Sequence, residues 1–221
     1  MTLSELIKMA RQRLDDTVAV RYLWTSKELK EFANDAQNEA CRRSRLIVDS
    51  TTAEICRIAL VSGTPTYALD DRVIFIKRVI LDGHPTPLGR AHSDDLDASV
   101  PGWEDQTGLP CAYVPNMDTN TFRPYPAPDG DYTARLTVVR APLVAMDDGE
   151  DVPEILGRYH VGLVNWMLYR AYMKQDSQTY DPKSAAVAEA AFEAEFGKRS
   201  SAQDEAWIAR EHGYFPTEGV Y

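Results

Sequence analysis

A chain of 221 residues has room for one domain or two small ones. With 44% hydrophobic and 26% charged residues it has the balance of a folded soluble protein, and its net charge of −10 argues against a duplex-DNA reader, which would present a basic face. The opening MTLSELIKMARQRL is amphipathic rather than a charged segment followed by an apolar run, so no signal peptide is read there.

In chain order, Thr2-x-x-Glu5 is a capping-box pattern, followed by Leu3, Leu6, Ile7, Ala10 and Leu14 on one helical stripe that ends near Asp15 or Asp16. Val18 to Trp24 reads as a connector. Thr25-x-x-Glu28 is a second capping box, with Trp24 placed to staple onto Leu29 or a neighbour. Leu29, Phe32, Ala33, Ala36, Ala40 and then Ile47 predict a long second helix whose small residues admit a close neighbour.

Beyond Asp49-Ser-Thr-Thr the period shortens to two. Strands are predicted at Cys56–Leu60, Thr66–Leu69, Val73–Leu81, Cys111–Val114, Thr121–Tyr125 and Tyr132–Arg140. Val73–Leu81, apolar on both faces apart from Lys77 and Arg78, reads as a central strand. Asp82-Gly83 signals a hairpin, and Pro85 and Pro87 demote the returning segment to an edge. A short helix is expected around Ser93–Ala98. This spacing of short strands suggests a small antiparallel sandwich or open barrel.

Ala145 to Glu154 is acidic and reads as a solvated linker, though its later carboxylates also suit a helix N-terminus. Pro153–Gln175, PEILGRYHVGLVNWMLYRAYMKQ, is apolar on more than one side and predicts the central helix of a bundle, too interrupted to span a bilayer. Asp181-Pro182 starts a fourth helix carrying Ala185, Ala188, Phe192 and Phe196 on one face, with further helix-friendly sequence at Gln203–Glu211. The expected fold is α+β: a four-helix bundle from 1–50 and 150–212, an inserted antiparallel β domain at 51–145, and an extended tail at 213–221.

No catalytic, cofactor-binding or metal-ligating set is predicted. His84, His92, His160 and His212 are scattered without metal spacing, and no nucleophile elbow, P-loop or dinucleotide pattern occurs. Cys41, Cys56 and Cys111 lack paired spacing and read as small buried thiols made in a reducing cytoplasm. Arg42, Arg43 and Arg45 either complement the negative end of the second helix or pair with acidic surface, such as Asp147, Asp148 and Asp151, on a neighbouring subunit. Trp207, Ile208, Tyr214, Phe215 and Tyr221 put aromatic and aliphatic anchors on the C-terminal segment, which either packs on its own bundle or docks into a partner protein.

The sequence resembles the head-to-tail adaptor proteins of tailed bacteriophages over nearly its whole length. The resemblance is carried by Trp24-Thr25 before Glu28-Leu29, by Asn34-x-x-Gln37-x-Glu39-Ala40-Cys41-Arg42-Arg43, by Gly63-x-x-x-Tyr67-x-Leu69 and by Gly108-x-Pro110-x-x-Tyr113. It continues in Tyr125-Pro126-x-Pro128 ahead of Val139-Arg140-x-Pro142, in Pro153-Glu154-Ile155 through Tyr159-His160, and in Trp166–Tyr172 before Lys174-Gln175-Asp176. The resemblance implies a helix bundle with an inserted β domain, assembled as a ring, commonly a dodecamer, in the virion neck between the portal and the tail or nozzle. Such a ring is made in the host bacterial cytoplasm and extends the DNA channel without sequence-specific binding or any membrane. An acidic balance suits a conduit that must not hold phosphate tightly. Two other readings are weighed against it: a virion-associated peptidoglycan-degrading enzyme, and a host-encoded scaffold or regulatory protein.

Overall fold

The computed structural model describes residues 1–176, 178–199 and 201. The helices in chain order are α1 (Leu3–Arg13), α2 (Ser26–Ser44), α3 (Ala53–Cys56), α4 (Ser93–Ser99), α5 (His160–Tyr172) and α6 (Pro182–Phe196). The strands are β1 (Ile47–Asp49), β2 (Arg57–Leu60), β3 (Tyr67–Ala68), β4 (Val73–Leu81), β5 (Gly89–Arg90), β6 (Thr107–Gly108), β7 (Ala112–Pro115), β8 (Thr121–Tyr125), β9 (Ala127–Pro128) and β10 (Tyr132–Arg140). The fold is mixed α+β. Two compact units separate: Met1–Ile47 with Ala141–Arg199, and Val48–Arg140.

In the helical unit both capping boxes form. Thr2 Oγ1 accepts from the Glu5 amide at 3.3 Å while the Glu5 carboxylate accepts from the Thr2 amide at 3.0 Å. Thr25 and Glu28 exchange the same pair of bonds at 3.1 and 2.7 Å. Each box satisfies two amides that a helix start would otherwise leave open. Helix α2 stops at Ser44, short of the expected Ile47, because Arg45 takes a left-handed backbone with φ 55°. Ile47 instead begins β1. Asp181 accepts from the amides of Lys183 and Ser184 to start α6, and Gly197, at φ 85°, ends it.

One apolar core runs through this unit. It gathers Leu6 and Ala10 of α1, Leu29, Ala33, Ala36 and Ala40 of α2, Leu163, Val164, Met167 and Ala171 of α5, and Phe192 and Phe196 of α6. Helix α5 packs on α1, α2 and α6, as its many-sided apolarity requires. It is shorter than Pro153–Gln175, however. Pro153–Leu156 is not helical, Gly157–Tyr159 makes one 3₁₀ turn, and the α-helix starts at His160. The early residues are held otherwise: the Glu154 amide donates to Gln37 Oε1 at 2.6 Å, and Leu143 donates its amide to the Glu154 carboxylate at 2.8 Å. At Gly162 of α5 the Glu195 carboxyl of α6 lies where a Cβ would project. Burial raises the pKa of that carboxyl. Trp24 is buried, and its indole N–H donates to the Ala171 carbonyl near the end of α5 at 3.1 Å.

The β unit is built around β10, not β4. β10 pairs antiparallel with β2 over Tyr132–Arg135 and with β4 over Ala134–Arg140, and β1 joins the same sheet. A second sheet runs β3-β8-β7-β5 and a third pairs β6 with β9. The expectation of purely antiparallel pairing is corrected at two points, where β5 lies parallel to β7 and β6 parallel to β9. The helical turn α3 also takes Cys56 out of its predicted strand. Val79, Leu81, Phe122, Ala134, Leu136 and Val138 are buried within this unit, and Trp103 packs with Leu96 and Val114 in a smaller cluster.

Strand β4 is bulged. Opposite β10 the register passes from Arg78 to Ile76 and from Phe75 to Val73, so Lys77 and Ile74 have no partner position. A bulge of this kind re-aims side chains, and here Lys77 and Arg78 are both exposed. That breaks the inside–outside alternation a regular strand would show.

Candidate functional site

No described group of three or more His, Cys, Asp or Glu side chains could hold a metal ion. His160, at 2% exposure, has both ring nitrogens engaged: Nδ1 lies 3.0 Å from the Met1 amino group and Nε2 lies 2.9 Å from the Ile155 carbonyl oxygen. Of the cysteines, Cys41 and Cys56 are buried, whereas Cys111 is exposed, contrary to expectation. No described helix is long and apolar enough to cross a membrane.

The arginines at the end of α2 divide by environment. Arg43 Nε pairs with Glu39 at 2.8 Å, and the Arg43 side chain is 1% exposed. Its guanidinium lies 5.0 Å from the Trp166 ring centroid and donates to the Gly197 carbonyl at 3.2 Å, while Ser44 Oγ donates to the Phe196 carbonyl at 2.7 Å. The end of α2 thus satisfies carbonyls at the end of α6, a negative helix terminus that favours a cation. Arg42 pairs with Glu39 at 3.0 Å but keeps its side chain 34% exposed, and Arg45 is exposed. The structure therefore builds Arg43 into its own unit and leaves Arg42 and Arg45 at the surface.

The acidic segment is an ordered loop rather than a slack linker. Asn34 brackets Met146, accepting from its amide at 2.7 Å and donating to its carbonyl at 2.9 Å. Asp151 accepts from the amides of Asp147 and Asp148 at 2.8 and 2.9 Å, and these bonds lower its pKa. The carbonyls of Gly149 and Asp151 accept from the Ser4 and Leu3 amides of α1 at 2.9 and 2.7 Å. Lys30 forms an ion pair with Asp147, whose side chain is still 88% exposed. The loop therefore presents Asp147, Asp148 and Glu150 to solvent on a fixed backbone. Asn34, Gln37, Glu39, Arg43 and His160 all belong to the stretches that carried the sequence resemblance. Their contacts fasten helix ends and this loop, so the shared pattern is one of construction.

The sequence reading did not single out a buried polar cluster in the β unit. Asp49 Oδ1 accepts from the Thr51 amide at 2.8 Å, Thr51 Oγ1 at 3.1 Å and the Thr52 amide at 3.1 Å. Its Oδ2 accepts from Thr52 Oγ1 and from Arg140 Nε, both at 2.6 Å. Burial works against the charge, but the bonds from Thr52, Thr51 and Arg140 outweigh it and hold the carboxyl far below the ordinary range. Burial, together with the Asp49 charge, pushes the nearby Cys56 thiol up to about 11. That keeps the thiol protonated and unreactive. In the sequence Asp49-Ser-Thr-Thr marks only the point where the period shortens, because no local signal announces a partner 91 positions away.

Trp207, Ile208, Tyr214, Phe215 and Tyr221 lie outside the described residues, as does the helix-friendly stretch Gln203–Glu211. The family model of the SU10 adaptor protein matches residues 1–212. Comparison with curated proteins found no match.

Proposed function

The chain belongs to the SU10 adaptor protein family, and from that membership we propose that it is a structural protein of a phage virion. In this reading it forms a ring, a dodecamer, in the neck between the portal and the tail or nozzle, and the ring continues the DNA channel. The observation that carries the proposal is the family match across 1–212, which takes in both the helical unit and the β unit. The net charge of −10 supports it, because a channel wall that bound phosphate tightly would retard DNA passage.

Within this proposal the fold is read as a four-helix bundle carrying a small β domain. The C-terminal anchors Trp207, Ile208, Tyr214, Phe215 and Tyr221 dock on the portal. Arg42, Arg45, Asp147, Asp148 and Asp151 belong to the surface between subunits, where a ring needs two unlike faces on each copy. Arg43 supports that surface from within. Nothing among the described residues favours a peptidoglycan-degrading enzyme.

The test is the mass of the protein alone and with purified portal, by light scattering or mass photometry, followed by cryo-EM of the particle neck. The expected result is a ring, formed alone or only on the portal. A monomer indifferent to the portal and absent from the neck overturns the proposal.

A further inference from the structure

We propose that a cationic concavity beside the β4 bulge receives the acidic loop, residues 147–151, of a second copy of this chain. The proposal rests on the ring reading above and names one of its contacts. The concavity, about 510 Å³, is lined by Lys77, Arg78 and Arg90 together with Phe75, Pro87, Leu88 and Tyr113, and no carboxylate among the described residues lines it. In a chain of net charge −10, three cations around one hollow are a concentrated exception.

The backbone explains how they meet. The bulge leaves Lys77 without a partner position on β10 and turns it and the adjacent Arg78 to the same exposed side. Arg90 comes from β5, which the parallel pairing with β7 holds against Tyr113. Burial lowers the Arg90 pKa and raises that of Tyr113, while the Arg90 charge acts to lower the latter, so the guanidinium and the phenol share this environment. Among the described residues neither Lys77 nor Arg78 has a carboxylate partner. Within the described residues their charge is uncompensated at short range.

The occupant follows from complementarity in charge and in polarity. The loop presents Asp147, Asp148 and Glu150 on a backbone already fixed by Asn34, Asp151 and the first amides of α1, so little ordering entropy is lost on docking. It is flanked by Val144 and Val152, which are 78% and 55% exposed. Those valines match the apolar walls that Phe75, Pro87 and Leu88 supply. A phosphate ribbon carries charge but has no apolar flank for these walls, which favours the protein loop. Loop into hollow is a head-to-tail contact between unlike faces, the kind that closes into a ring.

The experiment uses two full-length charge-reversed variants, Lys77→Glu with Arg78→Glu and Asp148→Lys with Glu150→Lys, and an equimolar mixture of them. Assembly is read by mass photometry under whichever condition assembles the wild type, alone or on the portal. Circular dichroism checks each fold, and if the second variant misfolds, Asp148→Asn with Glu150→Gln replaces it. Alone, each reversed variant juxtaposes like charges and is expected to lose assembled species by about tenfold or more, and the neutral replacement by less. In a mixture of the reversed pair, the acidic hollow meets the basic loop and the basic hollow meets the acidic loop. Alternating copies are then expected to restore a ring of even number, and added salt to weaken the wild-type contact.

A wild type that assembles while Lys77→Glu with Arg78→Glu assembles equally well overturns this contact and leaves the ring reading intact. Variants that fail alone and are not rescued by mixing overturn the loop as occupant. Unchanged assembly with lost retention of double-stranded DNA overturns it in favour of a phosphate site. A wild type that never assembles overturns the ring reading and this contact together.

Discussion

Replacing Asp49 by Asn tests the claim that one buried carboxylate holds the start of the β unit to its last strand. The bonds described above divide three to Oδ1 and two to Oδ2. An Asn oxygen in the first position keeps three of them. Its amide in the second position sets a donor against Thr52 Oγ1 and Arg140 Nε. The hydroxyl can turn, but the guanidinium cannot become an acceptor. Losing one charge-assisted bond costs about 1.5–3 kcal/mol. The side chains of Arg140 and Asp49 are each only 6% exposed, and breaking a buried ion pair by removing one partner raises the total toward about 3–5 kcal/mol. Urea denaturation followed by near-ultraviolet dichroism should therefore show an Asp49→Asn variant that keeps its slope and loses this much stability at pH 7. The pH dependence has a definite sign. The native carboxyl sits below its ordinary value of 3.8, so its contribution is complete above that value and is lost as pH falls toward the native one. The difference between wild type and variant should shrink by about 1 kcal/mol over the first pH unit below that value. A variant within about 0.5 kcal/mol of wild type at pH 7, or a difference that grows on acidification, refutes the reasoning.

Trp24→Phe should cost about 0.5–1.5 kcal/mol, read as a lower melting temperature, because it removes the indole donor from the Ala171 carbonyl, which keeps the Lys174 amide at 3.3 Å. Arg43→Ala should lower stability by about 1.5–3 kcal/mol, since Arg42 still partners Glu39, and should leave subunit association at a protein concentration where both are folded unchanged; lost assembly with full stability would assign Arg43 to the subunit interface instead. Deleting Gly213–Tyr221 should give a protein with wild-type dichroism that no longer co-sediments with the portal; an unfolded product would show that the segment packs within its own subunit.

The two capping boxes, the Asp181-Pro182 start and the bounds of β4 and β10 were legible because each rests on local chemistry: a side chain reaching three residues ahead, a fixed proline φ, or a run of β-branched residues. Where the sequence misled, a long-range partner decided. Ile47 fits the apolar stripe of α2, yet a left-handed Arg45 and pairing in the β10 sheet make it a strand. Pro153–Leu156 continues the apolar pattern of α5 but is held by Gln37 and by the Leu143 amide. The centrality of β10 over β4 could not be read from apolar content, because both strands have it.

The same division applies to the surfaces. Three adjacent arginines at a helix end form a visible cluster in sequence, yet proximity along the chain says nothing about what already neutralises them, and Arg43 is used by Glu39 and by the end of α6. Lys77, Arg78 and Arg90 do not form a run. A bulge and a parallel strand pair bring them to one hollow, so their grouping exists only in the folded β unit. For a protein whose work is holding other proteins, this difference matters more than the size of a charge cluster. A contact between subunits needs charge that remains unspent after folding, and unspent charge is identified by subtracting the internal partners. That subtraction leaves the Lys77–Arg78 bulge and the Asp148 and Glu150 carboxylates of the loop as surfaces of opposite charge, and it predicts that reversing the bulge alone should impair assembly more than removing Arg43.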